Sequence, residues 1–466
     1  MSEPAGAVIP ERRPLVSIRK TVHMSMLAFA FLLPFLTWEE AAGCAALALV
    51  FNTLILPRLG VDLSKAAVNS AAASAIGEAP VSAHGMWTGI VLYPVSVLAL
   101  ILLFPHHLEV VAAAWAMMAL GDALAGIAGE AIASPALAWN TRKSWVGFAA
   151  FIAAGTFGAT VLIRWTAPWL APERALAVCA AAAVVGAIAE SLPIRLDDNL
   201  TVPLICGAFL FCALHVGRAA LASNEPYLAT RLAVALGVNL IFALAALALK
   251  TASRSGAAMG FFLGVLVYLG YGYKSFAVLL AFFVLGSVVT RLGYAKKAAR
   301  GISEKRGGAR GWREAAANLL VGAFCAVLVI TTHCEKIFLV ALVAAFSEAA
   351  GDTTSSEIGQ WLSTRAYLIT NFRPVAAGED GGMTLAGTLA GFVSSALVAA
   401  SGLAVGLVSV EGAAAALAAG FAGNLFDSFL GATLERRGLV TNGIVNFAGT
   451  GFAAALAGVI AFHLHL

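Results

Sequence analysis

Residues 108–129 read LEVVAAAWAMMALGDALAGIAG, an apolar run that carries Asp122 between Gly121 and the small residues that close it. About 20 such residues cross the hydrocarbon core as a helix, and lipid admits only helices and closed barrels. Barrel strands are short and alternating, whereas apolar runs of this kind recur along the chain. They stand near 21–37, 40–57, 86–104, 108–129, 145–163, 175–191, 200–218, 229–249, 256–271, 275–290, 314–332, 337–350, 383–406, 412–432 and 445–464. The expected fold is all-α: a polytopic membrane protein of about fifteen transmembrane helices.

Composition agrees. Of 466 residues, 61% are apolar and 12% charged, about half the charge of a soluble protein, and mean hydropathy is +0.90. This excludes a large soluble enzyme, a disordered chain, a secreted disulfide scaffold and a coiled coil. The net charge of +4 says little about partners, and no nucleic acid is expected; the lipid bilayer is. Cys44, Cys179, Cys206, Cys212, Cys325 and Cys334 show no metal or redox spacing and read as small apolar helix residues. The run from Thr21 reads as a retained helix, not a signal peptide.

Lys and Arg in short loops set orientation. Arg12, Arg13, Arg19 and Lys20 place the N-terminus in the cytoplasm. An even number of crossings then puts the basic loop from Arg291 to Arg313 inside, with Lys296, Lys297, Arg300, Lys305, Arg306 and Arg310. Arg142-Lys143, Arg195 and Arg436-Arg437 fall on the same side. The expectation is a multi-pass protein of the cell (inner) membrane with its sites cytoplasmic.

The remaining polar residues gather in strings at that face, and ionisable residues beside spans are functional hypotheses by default. The first half holds Gly121-Asp122, Gly126 and Gly129; Arg142-Lys143-Ser144 with Gly147; Glu190; and Asp197-Asp198-Asn199. The second holds Asp352, Ser356, Glu357 and Gly359; Gly381-Gly382 and Thr388; Asp427-Ser428 and Thr433; and Asn446. Carboxylates and an amide can hold Mg²⁺, lysine can meet phosphate oxygens, and glycines let backbone N–H groups approach them. No Walker A or protein-kinase string is present. From spacing alone, Mg-nucleotide binding competes with an Asp122–Lys143 pair that closes a transporter pore.

Each half places Gly-Asp at the inner end of a span with a Gly seven residues later. A further Asp follows, Asp198 lying 76 residues after Asp122 and Asp427 lying 75 after Asp352. Two seven-helix bundles in parallel repeat, joined by a connector helix, account for this. The expected divisions are 1–222, 223–250 and 251–466, with a break in the apolar pattern near 222–228.

Residues 15–220 resemble the membrane-bound phytol kinase and dolichol kinase group through Arg19-Lys20 and His23, Gly121-Asp122 and Gly129, Lys143-Ser144-Trp145 and Gly147, Glu190, and Asp198-Asn199-Leu200-Thr201-Val202-Pro203. That group phosphorylates isoprenoid alcohols using CTP or a related nucleotide. Where it usually has Glu, this chain has Val146, which leaves Glu190 or Asp197 as the substitute. Residues 250–466 are similar to the membrane family that includes chloroplast phytyl-phosphate kinase and animal transmembrane protein 19. The matches are Gly286-Ser287, Lys296, Asn318, Asp352 with Ser356-Glu357, Arg373, Gly381-Gly382, Gly387-Thr388, Asp427-Ser428, Thr433 and Asn446.

Together the resemblances imply a bifunctional salvage kinase that converts an isoprenol such as phytol to its monophosphate and then its diphosphate, using CTP or another NTP with Mg²⁺. In the first half they give Asp122 and Asp198 to Mg²⁺, supported by Glu190, Asp197 and Asn199. Lys143, Ser144 and Gly147 go to the nucleotide phosphates, with Lys20 and His23 at the mouth. In the second half Asp352, Glu357 and Asp427 go to Mg²⁺, with Ser356 and Thr433 nearby. Lys296, Lys297 and Arg373 go to phosphate. A single polyprenol kinase with a non-catalytic second half, and a parallel-repeat transporter, are the alternatives. Homo-oligomerisation is left open.

Overall fold

A computed structural model describes residues 18–59, 83–192, 197–302, 308–438 and 440–466. Arg12, Arg13, Arg195, Lys305 and Arg306, used above for orientation, lie outside these. The chain divides into two compact units, Met1–Leu214 and His215–Leu466.

Every stretch read as a crossing is helical, and among the described residues twelve helices are long and apolar enough to span a membrane. The protein is an all-α polytopic membrane protein. In unit 1, α1 (Ile18–Ser25) runs into a tighter 3₁₀ segment (Met26–Phe35). Then come α2 (Trp38–Ile55), α3 (Ala83–Leu103) and α4 (Leu108–Ala131). A short hairpin follows, β1 (Ala136–Leu137) against β2 (Asn140–Ser144), and then α5 (Trp145–Thr166), α6 (Pro172–Ser191) and α7 (Asp198–His215).

Unit 2 opens with α8 (Arg218–Ala248), α9 (Arg254–Tyr271), α10 (Tyr273–Arg291) and the short α11 (Tyr294–Ala299). It continues with α12 (Trp312–Thr331) and α13 (Glu335–Leu362). An antiparallel sheet of order β4 (Pro374–Ala376), β3 (Arg365–Leu368), β5 (Gly382–Met383) precedes α14 (Leu385–Ala404). Last come α15 (Val410–Glu435) and α16 (Asn442–His463).

The two Gly-Asp strings sit on the two most enclosed spans, α4 at 72% buried and α13 at 89%. Both are rich in Ala and Gly, which lets neighbouring backbones close in where no hydrophobic force separates helix from lipid. Four helices share a start signal, Ser or Thr followed three residues later by Gly. Ser144, Ser253, Thr384 and Ser409 accept from the N–H of Gly147, Gly256, Gly387 and Gly412. The side-chain oxygen satisfies an orphan donor of the first turn. The glycine lets that turn press on its neighbour: a methyl on Gly147 would lie 3.0 Å from Ala125 O.

Two expectations fail. The break in the apolar pattern at 222–228 does not mark the boundary, because the units divide between Leu214 and His215 and α8 runs through it, with Asn224 Nδ2 donating to Ala220 O and Ile330 O. Half-buried Asn224 spends its amide on its own helix and on α12, and so does not end α8. Asp198 and Asp427 also do not correspond despite their spacing, because Asp198 begins α7 whereas Asp427 lies inside α15. In helix order it is Glu190, near the end of α6, that matches Asp427.

A methyl on Gly391 of α14 would lie 2.8 Å from Gly351 O on α13, whereas one on Gly237 of α8 would meet nothing within 4 Å. Gly391→Val is expected to cost about 1–3 kcal/mol through overpacking. Gly237→Ala should be neutral or stabilise by up to about 1 kcal/mol. Thermal unfolding in detergent distinguishes them, and equal effects would contradict the packing described.

Candidate functional site

In unit 1 three separate strings converge. A π turn over Met117–Asp122 widens α4 at its polar end, a distortion common at functional sites. Asp122 there meets Glu190 and Asp198, with one carboxylate oxygen from each lying within 4.8 Å of the others. Lys143 Nζ donates to Glu190 Oε1 at 2.5 Å and to Asp198 Oδ2 at 3.4 Å. The hairpin that carries Lys143 is pinned to the end of α6, where Trp139 Nε1 donates to Ser191 Oγ at 3.1 Å and Asn140 Nδ2 to Ser191 O at 3.0 Å.

Burial alone would lower the Lys143 pKa, but the Asp198 and Glu190 carboxylates outweigh it and raise the value above that of an ordinary lysine. Lys143 is therefore a fixed cation. Its stabilising contribution is fully present below the ordinary lysine range and is lost only as pH climbs through the raised value. Three carboxylates facing one lysine leave an excess of negative charge and hard oxygen donors, which suits Mg²⁺.

Beside this cluster opens an apolar cavity of about 970 Å³, lined by Leu32, Leu33, Ala45, Ala48, Phe51, Val97, Ile101 and their neighbours. Its few polar side chains are His23, Asn52, Tyr93, Trp115 and Asn199. Asn199 follows Asp198 directly, is 4% exposed, and its Oδ1 has no hydrogen-bond partner. His23 Nε2 lies 3.1 Å from Met118 O, packed edge-on against Tyr93. Trp115 Nε1 donates to Tyr93 Oη at 2.6 Å. The cavity is thus an apolar chamber whose Asn199 wall adjoins the carboxylates.

In unit 2 a smaller polar pocket of about 150 Å³ lies among α13, α14, α15 and the three-stranded sheet. Asp352, Ser355, Ser356, Gly381, Gly382, Thr384, Thr388, Asn424, Asp427, Ser428 and Glu435 line it. Gly381 has φ +71°, and a side chain there would collide with Ala432, so glycine seats the loop against α15. At the rim Arg436 Nη2 pairs with Glu379 Oε2 at 3.0 Å.

The two units share local geometry. Gly129 lies against Ser144 and Gly147 as Gly359 lies against Thr384 and Gly387. A side chain on Gly147 would meet Ala125 O, and one on Gly387 would meet Ser355 O. These contacts tie each Gly-Asp helix to the cap of the helix after it. Just before that cap, unit 1 has Lys143 and unit 2 has Met383.

Several expected roles are redistributed. Asp197 Oδ1 accepts from Asn199 N at 3.0 Å, so it caps α7 outside the carboxylate trio. Ser144 and Gly147 satisfy one another in the α5 cap at 3.2 Å, which takes that N–H away from a phosphate. Lys20 Nζ pairs with Glu130 Oε1 at 2.7 Å and rests over Gly126, while Gly121 makes room for the Phe151 ring.

Glu357 departs most from expectation. It forms a buried ion pair with Lys297, which is 0% exposed and also donates to Thr290 O at 3.1 Å. Neither residue lines the pocket. Lys296 is exposed on α11, and Arg373 is exposed at the β3–β4 turn, away from the pocket lining. Thr433 Oγ1 donates to Phe429 O at 2.7 Å within its own helix. Asn446 stands outside the pocket lining, with Oδ1 unpartnered. Sequence reading missed Glu348, a buried acid four residues before Asp352 on the same face of α13. The i, i+4 spacing was its only signal.

The profile described as "Integral membrane protein DUF92" matches residues 237–462, all within unit 2. An uncharacterized membrane protein of Synechocystis sp. is 37% identical over 223 residues, 47% of this chain and 86% of that one. Protein VTE6, chloroplastic, of Arabidopsis thaliana is 34% identical over 226 residues, 47% of this chain and 68% of that one. A probable phytol kinase 1, chloroplastic, of rice (Oryza sativa subsp. japonica) is 29% identical over 199 residues, 40% of this chain and 60% of that one. No solved structure matches.

Because its carboxylates hold Lys143 protonated, acylation at about pH 9 should modify it more slowly than exposed Lys296. Asp198→Asn should speed Lys143 labelling and leave Lys296 unchanged. Peptide mass spectrometry reads both sites, and equal labelling of the two lysines in the parent protein would contradict the geometry.

Proposed function

The chain belongs to the integral membrane family DUF92, and from that premise we propose a membrane phosphotransferase acting on isoprenoid alcohols. Unit 1 passes a phosphoryl group from CTP or another nucleoside triphosphate to a long-chain alcohol such as phytol. Unit 2 passes a second to the monophosphate, giving the diphosphate. The observation that carries this reading is the carboxylate–lysine cluster adjoining a 970 Å³ apolar cavity, a size at the upper end for ligand sites. Relatives described as probable phytol kinases support the alcohol, and the two resemblances support the order of steps.

Asp122, Glu190 and Asp198 would hold Mg²⁺, which when bound supplies positive charge to the triphosphate oxygens. Lys143, kept cationic between Glu190 and Asp198, stabilises charge that builds on the transferred group. The cavity takes the isoprenoid tail and excludes water from it. Asn199, whose Oδ1 lacks a donor, orients the hydroxyl by accepting a hydrogen bond from it, and His23 borders the same chamber. A carboxylate, Asp122 or Asp198, then receives that proton as the oxygen attacks. In unit 2, Asp352 and Asp427 would hold Mg²⁺, and Ser356, Ser428 and Thr388 offer hydroxyl donors to phosphate. Sites facing the cytoplasm of the cell membrane would draw on its nucleotides.

Purified protein given radiolabelled CTP or ATP with phytol should form phytyl monophosphate and diphosphate, resolved by thin-layer chromatography. Asp122→Asn should remove at least 100-fold of the first activity and spare conversion of supplied monophosphate. Asp352→Asn should do the reverse. If no nucleotide phosphorylates either acceptor, the reading fails. Ala45→Phe, which fills the cavity, should lower use of a C20 alcohol at least tenfold relative to a C10 alcohol, and an unchanged ratio would remove the tail from this chamber.

A further inference from the structure

One buried acid in unit 2 has no part in the scheme above. Glu348 lies near the middle of the 28-residue helix α13 and is 1% exposed. Neither of its carboxylate oxygens has a hydrogen-bond partner. Among the described residues no lysine, arginine or histidine comes within ion-pair distance of it or of Asp427. Asp427 on α15 is 8% exposed, and its Oδ2 is likewise unpartnered.

Glycines on two neighbouring helices make the space these acids share. A methyl on Gly449 of α16 would lie 2.5 Å from Glu348 Oε1 and 3.3 Å from Asp427 Cβ. One on Gly423 of α15 would lie 2.7 Å from Glu348 Cγ. Asn446, one turn before Gly449 on α16, adds a third unpartnered oxygen, its Oδ1. Glu348 of α13 and Asp427 of α15 therefore meet against α16 at Gly449, and α16 carries the unpartnered Asn446 oxygen one turn earlier.

We propose that Glu348, Asp427 and the Asn446 amide oxygen hold a divalent cation inside unit 2, one turn of α13 deeper than the pocket floor at Asp352. A buried carboxylate without a counter-charge is costly, and in a span such a residue points to an ion site. Unit 1 meets the same demand with Lys143; unit 2 has Met383 before the matching cap and needs another positive charge. Two carboxylates are neutralised by one divalent ion, and an all-oxygen set suits Mg²⁺, Mn²⁺ or Ca²⁺. Asp427 also lines the pocket, so the ion fixes one of its lining carboxylates. The proposal does not depend on the phosphotransferase reading.

The test uses the full chain in detergent, stripped of metal, with Asp122→Asn, Asp198→Asn and Asp352→Asn introduced to silence the unit 1 cluster and the unit 2 pocket. Mn²⁺ is titrated by electron paramagnetic resonance, and thermal unfolding is followed with and without it. One Mn²⁺ should bind per chain and raise the unfolding temperature. Adding Glu348→Gln, which keeps shape and removes charge, should weaken binding at least tenfold and abolish the rise. Asn446→Ala, which leaves both acids in place, should weaken binding severalfold and serves if Glu348→Gln does not fold. No bound Mn²⁺ in the parent, or unchanged affinity in the variants, would overturn the proposal.

Discussion

Lys143 Nζ, reaching Glu190 at 2.5 Å and Asp198 at 3.4 Å, is the interaction on which the unit 1 site depends. Without it, Asp122, Glu190 and Asp198 would crowd three negative charges at the ends of apolar helices, at a cost of several kcal/mol for an uncompensated buried charge. The hairpin, the π turn in α4 and the start of α7 each bring one member to that point. α4 is the most enclosed span of the unit and lends Trp115 to the apolar chamber, so fixing its polar end also steadies that side chain. Charge and lipid-like space adjoin here because the residue after Asp198 belongs to both.

Much of this was legible in the sequence. Apolar runs located the helices, since lipid demands internally bonded backbone whatever the side chains do. Polar residues were few enough that their strings located the unit 1 cluster, and Asp122, Lys143, Glu190 and Asp198 do meet. The four Ser/Thr-x-x-Gly starts were equally readable, although a cap and a phosphate loop look alike until the N–H partner is known. By that ambiguity Ser144 and Gly147 read equally well as a phosphate loop.

What stayed hidden depended on the direction in which side chains point. Glu357 and Glu348 lie on one helix, both near Asp352 in sequence. The first turns to Lys297 and the second toward Asp427, which spacing alone does not separate. Asp198 and Asp427 matched in spacing but sit on helices that do not correspond, because loop lengths differ between the halves. The cavity had no signature at all: leucines facing a chamber and leucines facing lipid read identically. Polar residues at 222–228 read as a boundary because sequence does not show the partners of Asn224, Ala220 O and Ile330 O.

The central claim is that one chain moves phosphate from a water-soluble nucleotide to an alcohol held in an apolar chamber. Its most direct test is ³¹P nuclear magnetic resonance of the protein in nanodiscs with CTP, Mg²⁺ and phytol. The account predicts that CTP resonances decline as CDP and a phosphomonoester appear in equal amounts, followed by a lipid diphosphate. Persistence of CTP, or its hydrolysis to inorganic phosphate with no lipid phosphoester, would contradict it.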